Sequence, residues 1–177
     1  MKDVQQVVNG IQSLFLRFGQ QTYEEKCTQL EHAEQSATLA LEYGMDEEFA
    51  LAAFLHDIGH FLAQERQLDG MTEFGYADHA TLGAKYLQEC GFSARIVAIV
   101  GEHVQAKRYL AATQADYVAQ LSRPSVETLR QQGGPMSSEE LARYQQMPVL
   151  EEILLLRKFD DSGKQPESPC RRLPYWL

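Results

Sequence analysis

Five histidines stand in this chain of 177 residues, at positions 32, 56, 60, 79 and 103. His56 is followed directly by Asp57, and far downstream Phe159 precedes Asp160 and Asp161. Imidazole nitrogens and carboxylate oxygens, without thiolates, suit Fe, Mn, Zn or Co rather than Cu(I) or an iron–sulfur cluster. A carboxylate has two oxygens and can bridge two metals, which an imidazole cannot. A His-Asp pair alone carries little information, and a single buried histidine is more often hydrogen-bonded core than ligand. The ordered set His32, His56-Asp57, His79, His103, Asp160 is far more specific. It places four of the five histidines at separate helix positions, with His60 one turn beyond the dipeptide.

A metal site needs these groups to converge from rigid elements, and the periodicity is helical almost throughout. Val4, Val7, Val8, Ile11, Leu14, Phe15 and Phe18 recur at three and four residues, the stripe of an amphipathic helix that Gly19 can end. Thr28 with Glu31 reads as a capping box, opening a helix that carries His32 and ends at Gly44. Asp46, Glu47 and Glu48 place acids at the positive end of a third helix, which closes at His56-Asp57. Adjacent His56 and Asp57 cannot point the same way on a regular helix; a loosened turn at the helix end turns both inward. Glu65 to Ala77 is polar, carries Gly70 and Gly75, and reads as a loop.

Asp78 is expected to cap the next helix, from His79 to Cys90, and Ser93 to Gln105 forms another around His103. Tyr109 to Leu121 continues the helical pattern. Ser125 to Gln132 is a short helix broken by Gly133-Gly134-Pro135, and Ser137 with Glu140 is a second capping box. Pro148 starts a last helix through Phe159. Without a useful strand pattern the fold class is all-α, in one domain spanning 1–177. Its metal-binding core covers about 23–164, and the tail 165–177 is expected to be irregular.

Composition limits the partners. Hydrophobic residues make up 44% and charged residues 23%, close to an ordinary globular domain. The 16 Lys and Arg against 25 Asp and Glu leave a net charge of −9, which argues against nucleic-acid binding. Met1 to Gln6 shows no basic region followed by an apolar run, so no signal peptide is expected. The most apolar segment, Phe49 to Leu62, is too short and too polar to span a bilayer. Cys27, Cys90 and Cys170 are expected to be free thiols in a reducing cytoplasm. Oligomeric state is not readable from the pattern.

The order His32, His56-Asp57, His79, His103, Asp160, with the segment Leu55-His56-Asp57-Ile58-Gly59-His60, resembles the HD-domain superfamily in its two-metal form. Further segments narrow the match: Gln29-Leu30-Glu31-His32-Ala33, His103 to Leu110, Ser125 with Thr128, Gln132 to Met136, and Arg157-Lys158-Phe159-Asp160-Asp161. Together they are similar to mixed-valent di-iron oxygenases that cleave the C–P bond of 1-hydroxyphosphonates, the 2-amino-1-hydroxyethylphosphonate dioxygenase (glycine-forming) type. The resemblance runs from about Tyr23 to Lys164. It implies a helical bundle with a dinuclear site at its centre, two iron ions as Fe(II)/Fe(III), and O2 as co-substrate. It also implies a small organophosphonate as substrate, 2-amino-1-hydroxyethylphosphonate or its trimethylammonium analogue, yielding phosphate and a carboxylate such as glycine.

Carried across by motif, His32, His56 and Asp160 would bind one iron and His79 and His103 the other, with Asp57 between them. Asp161 is read as a solvated helix-end acid. Lys107 shares a helix face with His103, and Arg157 one with Asp160, so each can reach a ligand beside the metals. Ser125 and Thr128 offer hydroxyls at helical spacing, and the resemblance assigns His60 to substrate contact. Relatives of the aminophosphonate type carry Tyr-x-x-Glu before the first histidine, gating the iron and contacting the amine. Here Tyr23-Glu24-Glu25 brings the tyrosine one residue closer, which leaves a primary amine, a trimethylammonium or no substituent open. The alternative within the superfamily is a metal-dependent phosphohydrolase of a phosphate ester or nucleotide. A regulatory domain without catalysis would instead refuse transition metals.

Overall fold

The computed structural model describes residues 3–166 and 170–177. Helix α1 (Val4–Phe18) buries Val7, Ile11, Leu14 and Phe15 along its apolar stripe. Both halves of the Thr28/Glu31 capping box form at the start of α2 (Gln29–Glu42). The Asp46 carboxylate accepts from the Phe49 N–H at the start of α3 (Glu47–Leu55). α3 is apolar on nearly every side, so it runs through the centre, with Phe49, Ala50, Ala52, Ala53, Phe54 and Leu55 buried. The chain breaks at His56-Asp57 and resumes as α4 (Ile58–Glu65). Asp57 sits at φ −98°, ψ 6°, outside the helical basin, and this supplies the loosened turn that the adjacent pair needs.

The segment expected to be a loop contains a hairpin of two-residue strands, β1 (Met71–Thr72) and β2 (Gly75–Tyr76). Gly75, at φ +90°, makes the turn possible. There follow α5 (His79–Cys90), α6 (Ala94–Thr113), α7 (Tyr117–Gln120), α8 (Arg123–Gln131), α9 (Ser138–Tyr144) and α10 (Leu150–Ser162). The second capping box, Ser137/Glu140, forms at α9. Packing joins α5 to α6 and α4, α2 to α3 and α10, and α10 to α6. The all-α bundle expected from the sequence is therefore the architecture observed.

Four local expectations need correction. Asp78 precedes α5 but makes no side-chain cap; its φ −99°, ψ 21° departs from the extended backbone a capping residue adopts. The segments read as separate near Gln105 form one helix of 20 residues, because Ile99, His103, Ala106 and Leu110 all face the interior. The short helix read from Ser125 begins two residues earlier, at Arg123, with Ser122 as its cap. The tail expected to be irregular carries a one-turn helix, α11 (Leu173–Trp176). The buried Glu34 carboxylate accepts from the Leu173 N–H, and Trp176 stacks on Phe54 at 5.5 Å. No disulfide joins the cysteines. Among the described residues no helix is long and apolar enough to cross a membrane.

Candidate metal centre

Five stretches of chain converge at the centre of the bundle. His32 comes from α2, His56 and Asp57 from the break before α4, His79 from the first position of α5, His103 from α6 and Asp160 from α10. His32 Nε2 and His56 Nε2 lie 3.2 Å apart, and His79 Nε2 and His103 Nε2 lie 3.0 Å apart. Asp57 stands between the pairs. Its Oδ2 is 3.6 Å from His32 Nε2 and 3.4 Å from His56 Nε2. Its Oδ1 is 3.3 Å from His79 Nε2 and 3.5 Å from His103 Nε2. Asp160 Oδ1 is 3.3 Å from His32 Nε2, on the first pair's side.

The outer ring nitrogens are fixed by backbone. His32 Nδ1 meets the Gly163 carbonyl at 2.8 Å, and His56 Nδ1 the Ala53 carbonyl at 2.7 Å. His79 Nδ1 meets Tyr76 O and His103 Nδ1 meets Val100 O, each at 2.7 Å. A carbonyl only accepts, so every Nδ1 carries a hydrogen and, in the neutral ring, every Nε2 presents a lone pair inward. His60 is oppositely arranged: its Nδ1 accepts from the Tyr76 N–H at 2.9 Å, leaving the hydrogen on Nε2. The ring that stacks on His79 therefore turns an N–H, not a lone pair, inward, 3.8 Å from Asp57 Oδ1 and beyond hydrogen-bond distance.

Two pairs of buried lone pairs facing each other across about 3 Å, with carboxylates between them, fit a cation in each pair. The electrostatics favour positive charge between the two carboxylates, whether a proton on an imidazole or a cation. Burial opposes charge on Asp57, yet His56 and His103 hold its carboxyl well below the usual range. Burial likewise opposes charge on Asp160, and Arg157 and Lys164 hold it well below that range. Burial disfavours a charged His56, but Asp57 and Asp160 overcome it and push the ring up to about 9. Burial lowers His79 and His103, and takes His60 down to about 4, so that ring is neutral. The trios His32/His56/Asp57, His56/His103/Asp160 and Asp57/His79/His103 each bring three ligand atoms within 4.8 Å of one another.

Over these groups opens a pocket of about 60 Å³, lined by every residue singled out in the sequence except His56, which lies beneath it. The Lys107 ammonium is buried, donates to Thr128 Oγ1 at 2.8 Å and forms no ion pair with a described residue. Arg157 is clamped by Asp160, at 2.6 Å, and by Asp161, while its buried Nε–H has no partner among the described residues. Asp161 is thus not the solvated acid expected: it takes Arg157 and also the Tyr117 hydroxyl at 2.6 Å. Tyr23 packs its ring 4.9 Å from His60, with its buried hydroxyl unpaired. Burial, then the Asp57 charge, raise that phenol well above its ordinary value, so it is neutral.

Two polar residues of the pocket lining, Lys164 and Gln29, were given no site role by the sequence reading. Lys164 Nζ reaches Glu25 Oε1 and Ser125 Oγ, both at 3.0 Å, and Asp160 Oδ1 at 3.5 Å. Gln29 lies three residues before His32, is buried, and leaves its Oε1 without a partner. Their spacings, Asp160 plus four and His32 minus three, were the available signals.

The family model described as HD domain matches residues 29–155, ending before Asp160. The chain belongs to the HD-domain family. It is 41% identical over 159 residues to a hydroxymethylphosphonate dioxygenase of Gimesia maris, covering 89% of this chain and 78% of the relative. It is 39% identical over 162 residues to a [1-hydroxy-2-(trimethylamino)ethyl]phosphonate dioxygenase (glycine-betaine-forming) of Leisingera caerulea, covering 91% and 82%. An uncharacterized protein, L432, of Acanthamoeba polyphaga mimivirus is 38% identical over 177 residues, covering 99% and 81%. The resemblance to the phosphonate dioxygenases of this family, read from the residues, is borne out.

Proposed function

We propose that the chain is a di-iron oxygenase that cleaves the C–P bond of a small 1-hydroxyphosphonate, with His32, His56, Asp160 on one iron, His79 and His103 on the other, and Asp57 bridging. The observation that carries this reading is the division of Asp57 between the two histidine pairs, beneath a pocket lined by Lys107, Arg157 and Lys164. The names of the two dioxygenase relatives support it. A C–P bond has no good leaving group until C1 is oxidised, which a purely Lewis-acidic metal does not achieve. Bound iron would supply the activation of O2 and that oxidation. The overall change balances with one O2: the hydroxyalkylphosphonate dianion becomes a carboxylate, hydrogen phosphate and a proton.

The chain's own groups bind and orient. Lys107, its charge unshared with any described carboxylate, takes a phosphonate oxygen, and the Arg157 Nε–H takes another. Thr128 acts by holding Lys107, since its own hydrogen goes to the Pro124 carbonyl at 3.0 Å. Ser125 accepts from Lys164 and keeps its hydrogen for substrate. The His60 Nε2–H donates to substrate near Asp57. Tyr23 and Phe74 wall the pocket against water.

Protein loaded with iron under anaerobic conditions, then given O2 and hydroxymethylphosphonate or its 2-amino and 2-trimethylammonio homologues, is expected to consume O2 and release phosphate in equal amounts. Phosphate release from a phosphate ester, without O2 and with Mn or Co, would instead establish the phosphohydrolase.

A further inference from the structure

The pocket lining holds three carboxylates: Glu25, Asp57 and Asp160. Asp57 and Asp160 face the imidazoles, so Glu25 is the one carboxylate of this lining placed to pair with a cationic group on the substrate. It is already occupied. Glu25 Oε1 accepts from Lys164 Nζ at 3.0 Å and from Ser122 Oγ at 2.6 Å, with only 11% of its side chain exposed. Lys164 is itself anchored by Ser125 Oγ and Asp160 Oδ1. Apart from Lys107 and the Arg157 Nε–H, which face the phosphonate, the lining groups without a partner among the described residues are neutral: the Gln29 Oε1 acceptor and the Tyr23 hydroxyl, both buried.

We propose that this pocket selects 1-hydroxyphosphonates whose C1 substituent is uncharged, hydrogen or a short hydroxyl-bearing group, with Lys164 and Glu25 as the residues that exclude an ammonium. This rests on the proposed phosphonate activity and narrows its substrate. An arriving ammonium would have to share Glu25 with Lys164, placing two cations on one buried carboxylate. Displacing Lys164 instead would leave its charge with Asp160 alone, whose carboxylate Arg157 already holds. A hydroxyl on the substrate meets neither difficulty, because it donates to Gln29 Oε1 and satisfies an acceptor that otherwise stays buried and unpaired. A trimethylammonium carries the same charge, is bulkier, and has no hydrogen to give Gln29.

The test compares two inert ligands of matched size, 2-hydroxyethylphosphonate and 2-aminoethylphosphonate, by anaerobic calorimetry on the iron-loaded protein. The hydroxyl ligand is expected to bind at least tenfold more tightly. Lys164→Gln should shrink or invert that ratio by about tenfold, and adding Glu25→Gln should restore it. Equal or tighter binding of the amino ligand by the unaltered protein overturns the proposal, as does a ratio that Lys164→Gln leaves unchanged. Turnover gives an independent reading: hydroxymethylphosphonate should exceed 2-amino-1-hydroxyethylphosphonate in kcat/KM by a similar factor. If none of the 1-hydroxyphosphonates releases phosphate, the proposed activity fails, while the binding order still decides the selectivity.

Discussion

His60 and His79 stack with ring centroids 3.9 Å apart in opposite tautomers, and one residue sets both. The Tyr76 N–H donates to His60 Nδ1, and the Tyr76 carbonyl accepts from His79 Nδ1. Neighbouring imidazoles of one sequence type thereby present different groups, a lone pair toward His103 and Asp57 from His79 and a hydrogen toward the pocket from His60. The hairpin β1–β2 is what brings Tyr76 between them. Gly75 is essential there, since a Cβ on it would lie 2.5 Å from the His60 ring.

Exchange of the two rings separates their roles. His79→Ala is expected to lose metal, whereas His60→Ala should keep its full complement and bind phosphonate about 10–100-fold more weakly, the loss of one charged hydrogen bond. Metal analysis beside a binding isotherm distinguishes them. Loss of metal in His60→Ala would make that ring a ligand.

Lys107 makes binding depend on pH. Burial first, then Arg157 and Lys164, push its ammonium down to about 7, against the opposing pull of Asp160 and Asp161. The charged form is therefore present below about 7 and lost above it. A phosphonate dianion favours the charged form, so binding at about pH 8 should take up a proton and weaken as pH rises further. Calorimetry in two buffers of different ionisation enthalpy measures the uptake. Lys107→Met should abolish it and weaken binding by about 1.5–3 kcal/mol with metal content intact. Equal proton uptake in that variant would remove Lys107 from the anion site.

Gly59→Ala tests how closely α4 and α5 must approach. A Cβ there would collide with the His79 backbone carbonyl. The variant should lose about 1–3 kcal/mol of stability and bind its second metal more weakly, because the start of α5 carries His79. Thermal unfolding and metal content together give the answer; an unchanged melting temperature with full metal would show that the helices can separate freely.

The convergence of these histidines and aspartates was legible because their residue types are scarce and ordered. Five histidines cannot fill four convergent positions by composition alone, and the His56-Asp57 dipeptide at a helix end announces a break that turns both inward. Lys164 and Gln29 were not legible in this way. Their spacings from Asp160 and His32 place them near the cluster, but what Lys164 meets there, Glu25 of the segment before α2, is set by packing that no local spacing encodes. For Asp161 the Arg157 partner lies at local helical spacing, but the Tyr117 hydroxyl that completes its burial comes from 44 residues earlier. Asp78 looked like a cap by residue type, but the chain enters α5 with the backbone set by the His79–Tyr76 bond rather than by a capping side chain.

The division of Asp57 between two histidine pairs is tested most directly by counting and characterising the metals in anaerobically prepared protein. Two irons per chain with the EPR signal of a magnetically coupled Fe(II)/Fe(III) pair are expected, and Asp57→Ala should lose that coupling and fall below one iron. A single iron in the unaltered protein, two uncoupled irons, or two irons retained without Asp57 would contradict the bridge.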